Sequence, residues 1–219
     1  MRVDLRLYAL VDPAVAGGHT LADLATRITE SATLVQLRDK HGSTRAMIDE
    51  ARALRAILKP RSVPLLINDR VDVALAAKAD GVHVGQDDMA VADARRLLGN
   101  DAIIGLSIKT AEQAKAAPLD LLDYAAIGGI YGTTSKDNTA APIGVSGLRS
   151  IAEIIRARKP GCPVCAIAGI NAGNAADVIA AGADGVAVIS AISLARDPRQ
   201  AADELRGVVD AALKRRGHA

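Results

Sequence analysis

Aromatic side chains are almost absent from this sequence, which contains no Phe, no Trp and only three Tyr among its 219 residues. Proteins that bind single-stranded nucleic acid stack the bases on aromatic rings, so this class is disfavoured. A strong charge of one sign is lacking as well, because 27 basic residues are set against 25 acidic ones. A net charge of +2 produces no field that would attract nucleic acid or an anionic membrane.

Long apolar segments are also missing. No stretch approaches the roughly 18 apolar residues that a membrane-spanning helix needs. The charged residues at positions 2, 4 and 6 come too early for a secretory signal, so we expect a cytoplasmic protein. The two cysteines form a Cys-Pro-Val-Cys motif at Cys162 and Cys165. Because no second pair exists to complete a zinc site, we interpret them as packing residues of a strand.

What the sequence does contain is a regular alternation of short apolar runs and helical patterns. The eight runs predicted as strands are residues 5–11, 33–37, 65–67, 81–84, 103–106, 124–127, 164–168 and 185–189. The helices predicted to follow them are residues 20–30, 44–58, 71–78, 90–98, 110–116, 145–158, 172–181 and 199–215. Unbroken apolar runs are typical of parallel strands that are covered on both faces.

Eight strand-helix units of about 27 residues each favour an α/β fold of one particular kind. We expect residues 1–219 to form a single domain, a closed (β/α)8 TIM barrel that is the catalytic domain. An open doubly wound sheet is the alternative, although the sequence lacks the Gly-x-Gly-x-x-Gly motif of dinucleotide-binding folds after its first strand.

An internal repeat supports the barrel. The sequence Ala-Asp-Gly-Val-His-Val at 79–84 recurs as Ala-Asp-Gly-Val-Ala-Val at 183–188, and more loosely at 122–127. Each copy opens an even-numbered strand, as expected when one structural unit is used repeatedly.

In a barrel of this kind, chemistry gathers at the C-terminal ends of the strands. Polar residues that apolar strands do not need follow the predicted strands in turn. They are Gln36, Arg38 and Lys40; Asn68, Asp69 and Arg70; Gln86, Asp87 and Asp88; Ser107 and Lys109; and Gly169, Asn171 and Ser190, with a Gly/Ser/Thr/Lys segment at 132–146 after the sixth strand.

The second strand ends with two cations and an amide on one face, because Gln36, Arg38 and Lys40 alternate with apolar or acidic residues. This combination suits an anionic ligand with several oxygens, since Arg binds as a fork and Lys as a point charge. The alternative is a solvated strand end paired with Asp39 or with a neighbouring loop.

Asn68, Asp69 and Asp88 follow neighbouring strands, so two carboxylates are expected to face one site. Oxygen ligands completed by water and a substrate phosphate fit Mg²⁺ better than zinc. The alternative is helix capping, by Asp69 in front of the third helix and by Asp87 or Asp88 in front of the fourth.

Phosphate binding is predicted for the later loops. The loop after strand six contains Thr133, Ser135 and Lys136, a segment rich in hydroxyls that ends in a cation. The loops at 169–171 and 189–191 follow strands seven and eight, where barrel enzymes often hold a phosphate. His83 lies within a predicted strand, so we interpret it as a hydrogen-bonded core residue and not as a catalytic group.

The motifs in this order resemble those of the thiamine phosphate synthase family along nearly the whole chain. The most specific of them are Leu5-Arg6-Leu7-Tyr8 with Asp12-Pro13, Gln36-Leu37-Arg38-Asp39-Lys40, Asn68-Asp69-Arg70 and Gly81-Val82-His83-Val84-Gly85-Gln86-Asp87-Asp88. Others are Gly105-Leu106-Ser107, Gly128-Gly129-Ile130-Tyr131, Pro142-Ile143-Gly144 and Gly182-Ala183-Asp184-Gly185-Val186 with Ile189-Ser190.

The resemblance implies a transferase of thiamine biosynthesis with small-molecule substrates. It would join 4-amino-2-methyl-5-hydroxymethylpyrimidine diphosphate to 4-methyl-5-(2-phosphooxyethyl)thiazole, giving thiamine phosphate and pyrophosphate with Mg²⁺ as cofactor. The pyrophosphate would depart first and the thiazole nitrogen would capture the resulting carbocation, so no protein nucleophile or general base is required. Neither nucleic acid nor membrane is an expected partner, and a homo-oligomer is left open.

The resemblance also implies roles for individual residues. Asp69 and Asp88 would hold the metal, and Gln36 would hydrogen-bond the pyrimidine. The groups that would hold the pyrophosphate are Asn68 and the four catalytic candidates Arg38, Lys40, Ser107 and Lys136. The groups that would receive the thiazole phosphate are Thr133, Ser135, Gly169, Ile189 and Ser190.

Four positions depart from the common family pattern. Lys109 stands where a His often occurs, Gly129 and Gly132 stand where prolines are frequent, and Ala168 replaces the first Gly of a Gly-Gly-Ile motif. Two alternatives are a related barrel that aromatises the thiazole phosphate and a non-catalytic barrel that binds thiazole or thiamine phosphate. The full set of pyrophosphate and metal candidates favours the synthase over both.

Overall fold

The structure, a computed structural model, describes residues 3–133 and 141–217. Its eight strands are all parallel, each pairs with the next along the chain, and β8 pairs with β1 to close the barrel. This confirms the predicted (β/α)8 fold and excludes the open sheet. The strands are β1 Leu7–Val11, β2 Leu34–Leu37, β3 Leu65–Asn68, β4 Gly81–Val84, β5 Ile103–Ile108, β6 Tyr124–Gly128, β7 Val164–Ile167 and β8 Gly185–Val188.

The helices surround the barrel and agree with the prediction to within a few residues at each end. They are α1 Leu21–Ile28, α2 Thr44–Leu58, α3 Val71–Ala77, α4 Val91–Leu98, α5 Ala111–Ala116, α6 Gly144–Arg158, α7 Ala175–Ala180, α8 Ser190–Ser193 and α9 Pro198–Arg215. The four-residue helix α8 was not predicted, because one turn is too short to produce a hydrophobic period. Within the described residues, no helix has the length and apolar character needed to cross a membrane.

Helix α1 shows how the local sequence produces these elements. Its buried residues Leu21, Leu24, Ala25 and Ile28 recur at the helical spacing and form one apolar stripe. The side chain of Thr20 accepts a hydrogen bond from the backbone N–H of Asp23 and so caps the helix. The stripe packs into the layer between the helices and the outer face of the barrel.

The barrel interior forms a second, smaller core. Its largest members are Tyr8 and Tyr124, whose rings meet edge to face with centroids 5.8 Å apart. Gly105 makes this packing feasible, since a Cβ atom there would overlap the Tyr124 ring. Cys165 is buried in the same core and Cys162 is buried just before β7, and both thiols are free. The interpretation of the cysteines as packing residues is therefore confirmed, with Cys162 outside the strand itself.

The sequence repeat corresponds to a set of hydrogen bonds at the N-terminal end of the barrel, each joining a side chain just before one strand to the backbone of the preceding strand. We call these hydrogen bonds latches. The carboxylates of Asp80, Asp123 and Asp184 each accept a hydrogen bond from a backbone N–H at the start of the preceding odd-numbered strand, at 2.8 to 2.9 Å. Thr33 does the same in front of β2, where its hydroxyl accepts from the Leu7 N–H. The glycines of the Asp-Gly pairs, Gly81 and Gly185, also have a steric reason. A Cβ at Gly81 would overlap the Ile103 carbonyl at the start of β5, and one at Gly185 would overlap the Leu5 carbonyl just before β1.

Candidate functional site

Polar side chains gather inside the C-terminal end of the barrel, where the sequence predicted them. Asp12, Gln36, Asn68 and His83 are all buried there, with no more than 7% of any of them exposed. Burial of a polar group is costly unless it is hydrogen-bonded. Asp12 and His83 have hydrogen-bond partners, whereas the buried Gln36 Oε1 has none among the described residues, which is typical of a site that binds a ligand.

Arg38 is fixed by a partner that the sequence analysis did not name. Its guanidinium donates to the carboxylate of Asp12, which also accepts from the Ala14 N–H at the end of β1. The Arg38 side chain is only 12% exposed, so it is not solvated. Its partner lies in the loop after the neighbouring strand β1, which is the loop pairing that the alternative allowed. Asp39 does not pair with it and instead accepts hydrogen bonds from the backbone N–H groups of His41 and Gly42.

Lys40 reaches across to the next strand and forms an ion pair with Asp69. Burial raises the pKa of the Asp69 carboxyl, the neighbouring Asp88 carboxyl raises it further, and Lys40 opposes both effects. Two carboxylates that repel one another beside a single cation form a site that an added cation would stabilise. Asp69 itself has φ of 62°, a left-handed conformation that Asp tolerates better than most residues.

The helix-capping alternative for these acids is wrong. The N-cap residue of α3 is Arg70 and that of α4 is Ala90, and neither helix has a side-chain cap hydrogen bond. Asp88 instead accepts from the backbone N–H of Gly85 at 2.7 Å, which holds its carboxylate at the end of β4. Both carboxylates are thus placed by loop geometry beside the basic end of β2.

A cavity of about 510 Å³ opens on the other side of the barrel mouth, over the ends of β5 to β8. Of the predicted phosphate groups, Thr133, Gly169, Ile189 and Ser190 line it, together with Ser107 and Lys109. Helix α8 begins here: Ile192 and Ser193 donate to the Ile189 carbonyl, which leaves the N–H groups of Ser190 and Ala191 ahead of the first intrahelical bond. Ser135 and Lys136 lie outside the described residues.

The backbone around this cavity accounts for one of the four departures from the family pattern, at Gly129, and shows that another, at Ala168, is strained. Gly129 has φ of 78°, which a proline fixed near −65° does not adopt and which glycine adopts freely. Ala168 has φ of 97°, a region that L side chains rarely occupy and that glycine adopts freely. Gly169 has φ of 65° and lies so close to the Gly132 carbonyl that a Cβ would overlap it.

A chain of five hydrogen-bonded side chains crosses the barrel interior and joins the two sides of the mouth. Gln36 donates through Nε2 to the Tyr8 hydroxyl. The Tyr8 and Tyr124 oxygens are 3.0 Å apart, and the Tyr124 oxygen is 2.8 Å from His83 Nδ1. His83 Nε2 is 2.8 Å from Ser107 Oγ. We call this set the polar relay; it confirms His83 as a hydrogen-bonded core residue.

Sequence reasoning missed three residues of this region: Asp12, Tyr8 and Tyr124. The motifs that contain Tyr8 and Asp12 were recognised, but neither residue was given a role. The scarcity of tyrosine was the available signal, because two of the three tyrosines occupy the same buried core next to predicted site residues. Gln86 was noted as polar, and its amide donates to the Ser107 carbonyl at 2.6 Å.

Comparison with known proteins gives consistent results. A family model described as thiamine monophosphate synthase matches residues 7–192. A thiamine-phosphate synthase of Agrobacterium fabrum is 50% identical over 216 residues, covering 98% of this chain and 98% of that protein. One of Chloroflexus aurantiacus is 50% identical over 208 residues and 94% of each chain. The solved structure of a thiamine phosphate pyrophosphorylase from Pyrococcus furiosus superposes with a TM-score of 0.85 at 37% identity, over 97% of this chain and 98% of that chain.

Proposed function

Since the chain belongs to the thiamine monophosphate synthase family and is a transferase of thiamine biosynthesis, we propose which substrates and groups its site uses. The substrates are 4-amino-2-methyl-5-hydroxymethylpyrimidine diphosphate and 4-methyl-5-(2-phosphooxyethyl)thiazole. The products are thiamine phosphate and pyrophosphate. One catalytic barrel performs the reaction in the cytoplasm, a location in keeping with two free, buried cysteines.

The observation that supports this proposal is the division of the barrel mouth into two unlike halves. The ends of β2 to β4 provide Arg38, Lys40 and the Asp69/Asp88 pair, a set suited to a diphosphate and a cation. The ends of β5 to β8 provide the cavity lined by small and hydroxyl-bearing residues, which suits a phosphate held by backbone N–H groups. A reaction between two phosphorylated substrates requires both halves side by side.

Mg²⁺ is the proposed cofactor, held by Asp69 and Asp88. The donor set fits: two carboxylates repel each other, and Mg²⁺ usually takes one or two carboxylates with the remaining ligands from water and substrate phosphate. Nowhere in the described residues do three or more His, Cys, Asp or Glu side chains surround one point, so a cage made entirely of protein ligands is not indicated there. When bound, the ion neutralises charge that develops on the leaving pyrophosphate.

In the proposed reaction, the C–O bond to the diphosphate breaks and pyrophosphate leaves with the electron pair. The resulting pyrimidinylmethyl cation is captured by the thiazole nitrogen, whose lone pair forms the new C–N bond. Arg38, Lys40, Asn68, Ser107 and Lys136 hold the pyrophosphate, and Gln36 binds the pyrimidine through its Oε1 atom, which is buried and lacks a partner among the described residues. The protein contributes positioning and charge stabilisation, and no protein base is needed.

The test supplies the purified protein with both substrates and Mg²⁺ and measures pyrophosphate release together with thiamine phosphate formation. We expect equal amounts of the two products, and the absence of thiamine phosphate would overturn the proposal. The variant Asp69→Asn should lower kcat about a hundredfold or more, because it removes a charged metal ligand. Asp87→Asn is the matched control: Asp87 is exposed beside Asp88 and is not assigned to the metal, so it should retain activity.

A further inference from the structure

The proposed reaction uses the two ends of the polar relay, Gln36 and Ser107, and leaves its three central residues without a role. Tyr8 and Tyr124 are each no more than 1% exposed, and His83 is 7% exposed. Burial raises the pKa of both tyrosine hydroxyls, so both remain protonated at neutral pH. Each central group therefore carries a proton that must be given to an acceptor, since an unsatisfied buried donor is costly.

When the imidazole is neutral, only two arrangements place a single proton in each of the four contacts of the polar relay. In the first, Gln36 Nε2 donates to Tyr8, Tyr8 to Tyr124, Tyr124 to His83 Nδ1, and His83 Nε2–H to Ser107. In the second, every bond runs in the opposite direction and the Gln36 amide is turned over. The direction of one bond therefore fixes the direction of all four, as in other hydrogen-bonded networks.

The two arrangements present different groups to a ligand. In the first, Gln36 offers its Oε1 acceptor and Ser107 keeps its hydroxyl proton to donate. In the second, Gln36 offers an N–H donor and the Ser107 oxygen has only lone pairs left. The structure has Gln36 Nε2 directed at Tyr8 and Oε1 without a protein partner among the described residues, which is the orientation of the Gln36 amide in the first arrangement.

The first arrangement also matches both ends of the proposed pyrimidine substrate. Its amino group is a hydrogen-bond donor and requires an acceptor at Gln36. Its diphosphate oxygens are acceptors and require a donor at Ser107. The reversed arrangement would be mismatched at both ends of this substrate.

We propose that Tyr8, Tyr124 and His83 are positioning residues that select an aminopyrimidine diphosphate over its 4-oxo analogue. They do so by holding the Gln36 amide in one orientation and directing the Ser107 hydroxyl at the diphosphate. This inference rests on the proposed function and deepens it, since it assigns the specificity of the pyrimidine site to residues that do not touch the ligand.

The first experiment measures the dissociation constants of the 4-amino and 4-oxo pyrimidine diphosphates by calorimetry, with Mg²⁺ present and the thiazole phosphate left out. Tyr8→Phe removes the acceptor that holds Gln36 Nε2, so the preference for the amino compound should fall about tenfold. Tyr124→Phe should also lower it, because the Tyr8 hydroxyl then has only Gln36 as acceptor and turns the amide over. Tyr131→Phe deletes the remaining tyrosine hydroxyl, outside the relay, and should leave the preference unchanged.

A purely structural role for the tyrosines predicts a different result. A loosened barrel would weaken the binding of both pyrimidines alike, and the ratio of their dissociation constants would stay at the wild-type value. An unchanged ratio in both Tyr8→Phe and Tyr124→Phe overturns the proposal.

The second experiment uses the wild-type protein and needs no variant to fold. Long-range ¹H–¹⁵N NMR of the neutral imidazole distinguishes the two tautomers of His83. The first arrangement requires the proton on Nε2, and a proton on Nδ1 overturns the proposal. The binding measurements distinguish failure of the proposed function from failure of the positioning role. If the wild-type protein does not bind the aminopyrimidine diphosphate, the proposed function is refuted. If it binds with a preference that both tyrosine variants retain, only the role of the polar relay is refuted.

Discussion

At the scale of single residues, the backbone that lines the cavity over the ends of β5 to β8 combines a strained residue with a glycine that has no room for a side chain. Ala168 is held at φ of 97°, and its neighbour Gly169 at 65°. Strain of this kind costs about 1 to 3 kcal/mol and persists when the surroundings determine the conformation. The two adjacent positions should therefore respond in opposite directions to exchange of Ala and Gly.

We expect Ala168→Gly to raise the free energy of unfolding by about 1 kcal/mol, because relief of strain exceeds the added entropy of the unfolded chain. Gly169→Ala should lower it by about 1 to 3 kcal/mol and raise the KM for the thiazole phosphate, because the new Cβ would overlap the Gly132 carbonyl. Urea denaturation and steady-state kinetics measure both effects. A Gly169→Ala protein as stable as the wild type would contradict this account of the loop.

At the scale of structural elements, the latches at the N-terminal end of the barrel differ in strength. Asp184 is the most heavily bonded, since it accepts from the Val164 N–H at 2.9 Å, from Arg156 at 3.1 Å and from Arg216 at 2.8 Å. The Thr33 latch in front of β2 uses a neutral hydroxyl. Hydrogen bonds to charged groups contribute more than neutral ones, so the Thr33 latch should be the weakest of the four, and the Asp184 latch, with its two additional arginine partners, should be the strongest.

Asp184→Ala should lower the free energy of unfolding by about 2 to 4 kcal/mol, because it leaves a buried N–H without its acceptor and two arginines without their carboxylate partner. Thr33→Val should lower it by only about 1 kcal/mol. Both variants should keep kcat and KM within about twofold of the wild type, since the site lies at the opposite end of the barrel. The exposed acid Asp101, changed to Ala, serves as the control, and equal stabilities of Asp184→Ala and this control would contradict the latch.

The elements were predictable because apolar periodicity and turn residues are local properties. Helix α2 and strand β4 were predicted to the residue, and the repeat correctly marked three even-numbered strands. The Asp12–Arg38 pair and the polar relay were not predicted, because each depends on barrel closure bringing distant strands into contact. The Thr33 latch was missed because Thr33 does not resemble the three aspartates in sequence, although its hydroxyl accepts the equivalent hydrogen bond.

At the scale of the whole molecule, the barrel interior makes stability depend on pH in the alkaline range. Burial raises the pKa of Tyr8 and Tyr124 in the folded protein, and it raises that of the Cys165 thiol in the same core. In the unfolded chain the tyrosines ionise near their ordinary pKa of about 10. Their contribution to stability is therefore complete below about pH 10 and is lost as the pH rises above it, because the unfolded chain then releases protons that the folded chain keeps.

Each buried tyrosine should add about 1.4 kcal/mol per pH unit to the fall in unfolding free energy above about pH 10. Tyr8→Phe should make that slope shallower by about 1.4 kcal/mol per pH unit, which corresponds to one proton. Tyr131→Phe should change the slope less, because the Tyr131 ring is only partly buried. Urea titrations at several alkaline pH values measure the slopes. Identical slopes for the wild type and Tyr8→Phe would contradict the assignment of these hydroxyls to the dry interior.

The four latches also divide the barrel into quarters. They join β1 to β2, β3 to β4, β5 to β6 and β7 to β8, and none of the four joins strands of different pairs. A chain cut at the exposed turn at 99–101 would give two halves that each retain two intact latches, whereas a cut between α5 and β6 would separate Asp123 from the β5 strand it holds. Split versions of the protein should therefore reassemble from the first pair of fragments and not from the second.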